Sequence, residues 1–272
     1  MIGAIIGDIA GSVYEFKNEK NKAYISFFGS RHDFTDDSVL TFATADWLLH
    51  GGNVAEYYAK YGNRFPRKGY GGRFRQWLCE AKDGTIPEPY NSLGNGSAMR
   101  VSPCGWISDN EEEVLAAAKA SAECTHNHPA GIRGAQAIAL CILMARQGKT
   151  KEEIEQAVEG RYYSMNFTCD AIRPYYGWQS AQFGNSVTCK GSVPVAIRAF
   201  LDSKDFVDCM RTAISLGGDS DTIAAMAGGI AEAFYGVPKA LYETAMTYLP
   251  EDIRELIREF DSKYGCGVKG LK

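Results

Sequence analysis

The sequence has no excess of positive charge and no long apolar run. It contains 29 Lys and Arg residues against 33 Asp and Glu residues, a formal net charge of −4. A chain with that balance cannot neutralise many phosphates, so stable nucleic-acid binding is not expected. The apolar start of the chain meets Asp8 and Glu15 well before the roughly 20 apolar residues that a membrane span needs, and no basic residue precedes it. We therefore predict a cytoplasmic protein with neither a targeting segment nor a membrane span.

Cysteine is never arranged as C-x-x-C. The eight cysteines are spread almost evenly, at positions 79, 104, 124, 141, 169, 189, 209 and 266. This spacing argues against a zinc ribbon or a dense disulfide framework and predicts buried free thiols in a reducing compartment. The triplet Cys124-x-His126-x-His128 offers three metal-ligating side chains without a fourth, so it is a weak zinc signal. A polar loop residue is the better interpretation of His126.

Glycine, in contrast, is abundant, at 29 of 272 residues or about 11% against a usual ~7%. Gly3, Gly7 and Gly11 are spaced by four, which on a helix makes one smooth ridge where another backbone can approach closely. The stretches 69–72 and 94–96 show no helical or alternating pattern, so they are predicted to be loops.

Helical patterns dominate the rest of the chain. Apolar residues recur at helical spacing in 221–235 with small residues between them, which predicts a central helix packed on several sides. Capping signals predict helices at 151–158, 206–216 and after Pro250, and similar periodicity covers 38–49, 111–122, 129–147, 192–202 and 238–248. The best strand candidate is 23–28. We predict one all-α domain over 1–272 with long functional loops.

Two acidic clusters stand where core helices are predicted to begin. They are Thr35-Asp36-Asp37-Ser38 and Gly218-Asp219-Ser220-Asp221-Thr222. Helix capping is one interpretation, but a cap needs only one such residue and each cluster supplies two aspartates. Four carboxylates brought together would repel one another unless cations lie among them, and an all-oxygen ligand set suits Mg²⁺, Mn²⁺ or Ca²⁺. An EF-hand is excluded, because Ala224 and Ile230 stand where its loop requires Gly and Glu.

Six blocks of sequence together resemble the ADP-ribosylglycohydrolase family. They are Gly3-Ala-Ile-Ile-Gly-Asp-Ile-Ala-Gly-Ser-Val-Tyr-Glu15, Phe34-Thr-Asp-Asp-Ser38, Gly94-Asn-Gly-Ser-Ala-Met-Arg-Val101, Thr125-His126, Gly191-Ser-Val-Pro194 and Gly217-Gly-Asp-Ser-Asp-Thr222. Their order and rough spacing match as well, and the resemblance spans about 2–238. It implies a compact all-α fold, a multi-helix orthogonal bundle with a binuclear Mg²⁺ or Mn²⁺ site among helix N-termini, at the bottom of an ADP-ribose cleft.

The resemblance also implies roles for individual residues. Glu15, Asp36 and Asp219 are the implied catalytic residues, with Glu15 at the scissile bond. The implied metal ligands are Thr35, Asp36, Asp37, Asp219, Asp221 and Thr222. The implied substrate-binding residues are Gly69, Gly71, Asn91, Ser92, Leu93, Gly94, Asn95, Gly96, His126 and Val187. Glycine-rich backbone suits the diphosphate, because its N–H groups can approach phosphate oxygens without an intervening side chain.

The sequence departs from the family pattern in three places. Leu93 stands where some relatives carry an aromatic residue, and Val187 is smaller than its counterpart. Only 19 residues separate Glu15 from Thr35, so the segment before the first metal block is short. These departures bear on the preferred linkage more than on catalysis. Five aromatic side chains are candidates for stacking on adenine: Tyr90, Trp106, Tyr175, Tyr176 and Trp178.

The expected function is a hydrolase that depends on two divalent cations, Mg²⁺ or Mn²⁺, and releases ADP-ribose from a modified acceptor. Its expected partner is an ADP-ribosylated protein or another ADP-ribosylated acceptor, and we expect a monomer. Two alternatives differ in class: an ADP-ribose-binding module without turnover, and a binuclear phosphohydrolase that cuts the diphosphate. Release of AMP instead of ADP-ribose distinguishes the second alternative.

Overall fold

The computed structural model describes residues 1–82, 84–265 and 268–269, and helices account for most of them. In chain order the helices are α1 (Ile2–Gly11), α2 (Asp36–His50), α3 (Val54–Arg64), α4 (Gly72–Glu80), α5 (Gly96–Met99), α6 (Glu111–Glu123), α7 (Pro129–Arg146), α8 (Lys151–Arg161), α9 (Cys169–Ile172), α10 (Cys189–Leu201), α11 (Phe206–Ile214), α12 (Ser220–Tyr235), α13 (Lys239–Met246) and α14 (Glu251–Tyr264). Short 3₁₀ helices cover Lys22–Tyr24 and Ser102–Trp106. The all-α prediction is confirmed.

Strands are very short. The pair β1 (Gln179–Ser180) and β2 (Gly184–Asn185) is antiparallel, with Gln179 opposite Asn185. The pair β3 (Val237–Pro238) and β4 (Val268–Lys269) is parallel. Each pair only links neighbouring loops by hydrogen bonds, because a strand of two residues is too short to form a sheet face that packs on the core.

The predicted glycine ridge is the contact between α1 and α12. A Cβ at Gly3 would lie 2.2 Å from the Gly228 carbonyl oxygen, and one at Gly7 would lie 2.1 Å from the Ala224 carbonyl oxygen. At Gly11 the nearest atom is the Cα of Asp221, at 2.3 Å. Only glycine allows these backbones to approach so closely. As a result, Asp8 on α1 lies beside the start of α12.

The predicted central helix is α12, whose first thirteen residues are all buried. It packs against α1, α7, α10 and α11. The apolar side chains around it belong to one buried cluster that extends from Met1 to Phe260.

Two predicted helix caps are present as expected. Thr150 and Glu153 form a reciprocal capping box at α8, and the Asp205 carboxylate accepts the Asp208 N–H at the start of α11.

The strand predicted at 23–28 is wrong. Its first residues form part of a 3₁₀ helix, and the Tyr14 hydroxyl bonds the backbone on both sides, accepting the Ser26 N–H at 2.8 Å and donating to the Tyr24 carbonyl at 3.2 Å. A side chain therefore satisfies backbone groups that a partner strand would otherwise bond. Helices α3 and α4 were not predicted, although Asn53 caps α3 by accepting the Ala55 N–H.

Seven cysteines fall in the described residues, and all seven are free thiols. Cys104, Cys141, Cys169, Cys189 and Cys209 are buried as predicted. Cys79 is exposed, so the prediction of burial is wrong there, and Cys124 is only partly buried. Cys266 lies outside the described residues. Over the described part of the chain, no helix combines the length and apolar character that crossing a membrane requires.

Candidate active site

A cleft of about 460 Å³ opens where the N-termini of α2 and α12 meet the end of α1. We name two adjoining groups of residues around it the carboxylate end (Asp8, Glu15, Asp36, Asp37, Asp219, Asp221) and the glycine-loop end (Gly69, Gly71, Gly94, Gly96, His126), which meet where Gly69 lies beside Asp36. All of these residues except Asp8 line the cleft, together with Thr35, Thr222, Ser92, Asn95 and Val187. Asn91 and Leu93 do not line it.

The carboxylate end holds two overlapping acidic groups. Carboxylate oxygens of Asp8, Asp37 and Asp221 lie within 4.8 Å of one another, as do those of Glu15, Asp219 and Asp221. Asp221 therefore belongs to both groups. Although 184 positions separate Asp37 from Asp221 in the sequence, the crossing of α1 over α12 brings them together.

Helix capping does not explain the two acidic clusters. Thr35 and Asp219 are the N-cap residues of α2 and α12, yet neither side chain accepts a hydrogen bond from its own helix. Asp8, from α1, bonds the start of α2 instead. Its carboxylate accepts the N–H of Thr35 at 2.8 Å, the N–H of Ser38 at 3.0 Å and both hydroxyl groups of those residues.

Asp8 belongs to the site, although no role was predicted for it from the sequence. Its carboxylate is completely buried. The sequence does hold one indication of its role: Asp8 is the single carboxylate in an otherwise apolar helix. A carboxylate is rarely buried without a partner, so its position indicates a polar contact inside the protein.

Several polar contacts position the remaining aspartates. The Thr222 hydroxyl donates to Asp37 Oδ2 at 3.2 Å, and the Asn95 amide donates to Asp219 Oδ2 at 2.7 Å. The other oxygen of Asp37, Oδ1, is buried and accepts no hydrogen bond from any described residue. A buried, unsatisfied carboxylate oxygen is costly, and a cation would satisfy it.

Burial and mutual repulsion make this cluster hard to ionise. Desolvation, followed by the charges of neighbouring aspartates, holds the pKa values of Asp36, Asp37 and Asp221 well above the ordinary range. Burial raises the pKa of Asp219 to about 6. Burial and the charges of Asp221 and Asp8 raise the pKa of Glu15 to about 8. Divalent cations among these groups would oppose all of these shifts.

The glycine-loop end is built from backbone. Gly69 has φ +95°, and a Cβ there would lie 3.2 Å from Asp36 Oδ1. Gly71 precedes α4 with φ −58°, and no described atom lies within 4 Å of the position its Cβ would take. Across the cleft, a Cβ at Gly96 would lie 3.0 Å from Nε2 of His126. Glycine at these positions leaves the space open.

His126 is buried, and its Nδ1 lies 2.8 Å from the Thr125 hydroxyl oxygen. Burial, followed by the charges of Arg100 and Arg73, holds its pKa well below the ordinary value, so the ring is neutral. His128 accepts the Ala130 N–H as the cap of α7. In the part of the chain that the structure describes, no group of potential metal ligands includes Cys124, His126 or His128.

The two residues outside the cleft lining have other partners. The Asn91 N–H donates to the Asn127 side-chain oxygen at 2.8 Å, and Asn91 adopts φ +53°. Leu93 is 46% exposed, and its carbonyl accepts the Cys189 N–H at 3.1 Å. Their role in substrate binding stays a prediction. Of the five aromatic candidates, Tyr90 and Trp178 line the cleft, and Trp106, Tyr175 and Tyr176 do not.

Arg100 also lines the cleft and was missed, although its motif was quoted. It is completely buried, with its guanidinium carbon 4.0 Å from the centre of the Tyr58 ring. Its Nη2 donates to the Ser121 carbonyl at 2.6 Å and the Thr125 hydroxyl at 2.8 Å. Nε and Nη1 donate to no described residue. A buried arginine beside a cleft adds positive charge there, which favours an anion in the cleft.

Comparison with known proteins agrees with the geometry. A family model described as ADP-ribosylglycohydrolase matches residues 1–266. ADP-ribosylhydrolase ARH3 from Bos taurus and from Homo sapiens are each 28% identical over 326 aligned positions, covering 93% of this chain and 89% and 90% of the relatives. A solved structure described as an ADP-ribosylglycohydrolase-related protein complex aligns with this chain at a TM-score of 0.71 and 22% identity. The alignment covers 97% of this chain and 95% of the solved chain, so the two share a fold.

Proposed function

This chain belongs to the ADP-ribosylglycohydrolase family, and we propose that it hydrolyses the bond between ADP-ribose and a modified acceptor, releasing ADP-ribose. The observation that carries the proposal is the convergence of Glu15 with the aspartate pairs of both acidic clusters on one cleft. A carboxylate cluster at one end and open glycine backbone at the other suit a substrate with a ribose and a diphosphate.

The residues at the carboxylate end fit divalent cations. Their donors are all oxygen atoms, which hard cations prefer, and the unsatisfied Asp37 Oδ1 lies among them. We propose that two cations, Mg²⁺ or Mn²⁺, are held by Thr35, Asp36, Asp37, Asp219, Asp221 and Thr222. When bound, such cations supply Lewis-acid chemistry toward substrate oxygens and offset the carboxylate charge.

Glu15 is the proposed proton-handling residue. It follows α1 at the cleft, where it is half-buried and close to Asp219 and Asp221. From that position its carboxylate can exchange a proton with the attacking water or with the acceptor. Asp36 and Asp219 are proposed to act with Glu15 by fixing the ribose. Asn95 holds Asp219 through its 2.7 Å hydrogen bond and is therefore proposed as a positioning residue.

The glycine-loop end is the proposed diphosphate site. Backbone at Gly69, Gly71, Gly94 and Gly96 allows close approach, and the two unpartnered donor atoms of Arg100 add positive charge. Neutral His126 supplies a hydrogen-bonding group without a second charge. Ser92 and Val187 complete the proposed wall of the cleft, with Asn91 and Leu93 outside it.

The test is a panel of purified substrates that each carry one defined ADP-ribosyl linkage, with the product identified by mass. We expect free ADP-ribose from at least one linkage, and none from the Asp219→Ala variant with the same substrate. AMP as the product would overturn the proposal in favour of a phosphohydrolase. ADP-ribose binding without turnover on any linkage would favour a binding module. We expect a monomer that acts on ADP-ribosylated proteins or other ADP-ribosylated acceptors in the cytoplasm, without stable nucleic-acid binding.

A further inference from the structure

Lys20 follows Glu15 by five positions and bonds two other segments of the chain through their backbone. Its ammonium donates to the Tyr176 carbonyl at 2.7 Å and to the Leu216 carbonyl at 2.5 Å. Burial, followed by the charge of Arg173, lowers the pKa of Lys20 to about 8. A lysine on a surface loop usually extends its charged group into water. The charged group of Lys20 instead contacts backbone carbonyl groups of two distant segments.

The Leu216 carbonyl belongs to the loop that leads to Asp219. The two residues between them are Gly217 and Gly218, which adopt φ +73° and +69°. Glycine adopts such angles without strain, so the chain can turn sharply there. Lys20 therefore bonds this loop three positions before Asp219, one of the proposed cation ligands.

The Tyr176 carbonyl belongs to a turn that reaches the cleft at Trp178. The Trp178 ring stacks on the ring of Phe16, with 5.7 Å between the ring centres and 19° between the two planes. A Cβ at Gly218 would lie 2.9 Å from the Gly177 carbonyl oxygen, so this turn also packs against the loop before Asp219. The segment after Glu15 thus contacts both the 176–178 turn and the 216–219 loop.

Glu15 lies inside a short hydrogen-bonded turn that is part of this packing. The Asn18 N–H donates to the Tyr14 carbonyl at 3.2 Å, which closes the turn around Glu15. Asn18 adopts φ +52°, and a Cβ at Gly217 would lie 1.9 Å from its side-chain oxygen. The turn that carries Glu15 therefore packs directly against the loop to which Lys20 is bonded.

We infer that Lys20 is a positioning residue that holds Glu15 close to Asp219 by joining the segment after Glu15 to the loop before Asp219. This inference rests on the proposed function and adds a residue to it. Carboxylate oxygens of Glu15 and Asp219 lie within 4.8 Å of each other. Proton transfer needs hydrogen-bond reach, and a misplacement of about 1 Å can cost on the order of 10²-fold in rate. Lys20 itself does not line the cleft, so ADP-ribose should bind without it.

The experiment compares Lys20→Met with Lys22→Met as the matched control. Methionine keeps much of the length of the lysine side chain but has no donor. Lys22 lies on the same segment, and its ammonium pairs with Asp208 on α11 at 3.4 Å, away from the loops of the cleft. Both substitutions are made in the wild-type protein and in Glu15→Gln, and kcat is measured on a linkage that the wild-type protein hydrolyses.

Three further measurements separate positioning from stability. Calorimetry gives the dissociation constant of ADP-ribose, and circular dichroism gives the melting temperature of each variant. Hydrogen exchange, followed by mass spectrometry, compares the backbone of 12–21 and 212–222 between the two lysine variants. Lys20→Cys is also treated with 2-bromoethylamine, which restores an ammonium group on a side chain of similar length. Wild-type protein treated in the same way controls for modification of the exposed Cys79.

We expect Lys20→Met to lower kcat about 10- to 100-fold while the dissociation constant of ADP-ribose stays within about twofold. In Glu15→Gln the same substitution should change kcat little, because the carboxyl group that Lys20 positions is already absent. Exchange should become faster in both segments, Lys22→Met should keep the wild-type values, and the treated Lys20→Cys protein should recover most of its kcat.

A lower melting temperature with unchanged kcat would show that Lys20 serves stability alone, which overturns the inference. Equal losses of kcat in the wild-type protein and in Glu15→Gln also overturn it, as does unchanged exchange in both segments. If no linkage yields ADP-ribose, the proposed function fails instead, and hydrogen exchange then decides whether Lys20 joins the two segments.

Discussion

The two ends of the cleft use glycine for opposite reasons. Behind the carboxylate end, Gly7 is glycine because the Ala224 carbonyl oxygen lies 2.1 Å from where a Cβ would be. At the glycine-loop end, Gly71 has ordinary φ and no described atom within 4 Å of its Cβ position. The first glycine serves packing within the fold, whereas the second leaves a space that the fold does not fill. The backbone behind the carboxylates is therefore closely packed, whereas the space beside Gly71, on the side proposed for the diphosphate, stays open.

The largest expected effect is at the carboxylate end. Asp36→Ala and Asp219→Ala should each abolish ADP-ribose release, because each removes a proposed cation ligand from the cleft. Removal of divalent cations from the wild-type protein should do the same while far-UV circular dichroism keeps its helical signal. The metal-free protein should melt at a lower temperature, since ions that bind only the native state stabilise it. Full turnover in excess chelator, after the metal content has been shown to be negligible, contradicts this prediction.

Glu15→Gln tests the chemistry of the same end without changing its shape. Loss of a positioned acid or base typically costs about 10²- to 10⁴-fold, and kcat should fall within that range. Affinity for ADP-ribose, measured by calorimetry, should change little because the proposed diphosphate and cation contacts remain. A kcat near that of the wild type would leave Glu15 as an ordinary carboxylate at a helix end. Combined loss of kcat and ADP-ribose affinity would point to a role in positioning the cations.

Gly7→Ala tests whether packing behind the carboxylates is as tight as the structure shows. Overpacking a close contact costs roughly 1–3 kcal/mol. The free energy of unfolding should therefore fall by at least about 1 kcal/mol. Gly160→Ala is the matched control, because Gly160 lies on the exposed side of α8 with no described atom near its Cβ position. That variant should gain about 0.5–1 kcal/mol. Equal effects in urea unfolding would mean that the ridge does not depend on glycine.

The stability of the metal-free protein should depend on pH in a direction that the carboxylates determine. Folding raises the pKa of Glu15 to about 8 and that of Asp219 to about 6. At pH values above their ordinary pKa, both groups therefore bind more protons in the folded chain than in the unfolded chain. The free energy of unfolding should therefore fall as pH rises from about 4 to about 8. Urea titrations at pH 5 and pH 8 in chelator measure this difference. Added Mg²⁺ or Mn²⁺ should shrink it, and greater stability at pH 8 in chelator contradicts the prediction.

The smallest effect is expected at Gly71. Because the position has ordinary φ and free space around it, Gly71→Ala should leave the melting temperature unchanged. If the space serves the diphosphate, affinity for ADP-ribose should fall by a few-fold, about 1 kcal/mol. Calorimetry with ADP-ribose measures this, and unchanged affinity would mean that the ligand does not approach Gly71.

Local patterns predicted much of the fold and part of the site. Apolar periodicity predicted α2, α7 and α12, and spacing alone predicted the ridge on α1. The doubled aspartates predicted an acidic centre at two helix starts. Helices α3 and α4 were not predicted. A strand was wrongly predicted at 23–28, because the Tyr14 side chain bonds that backbone through contacts that periodicity does not reveal.

The sequence by itself determined the helical class, the glycine ridge and the two acidic helix starts, because each depends on residues a few positions apart. Only the tertiary structure decided that Asp8 bonds the start of α2 and that Arg100 lines the cleft with unpartnered donors. It also decided that Phe16 meets Trp178, and that Leu93 is not among the residues that line the cleft. These contacts join residues that are tens of positions or more apart in the sequence. Whether such residues meet depends on how closely α1 crosses α12 and on how the surrounding loops pack against these two helices.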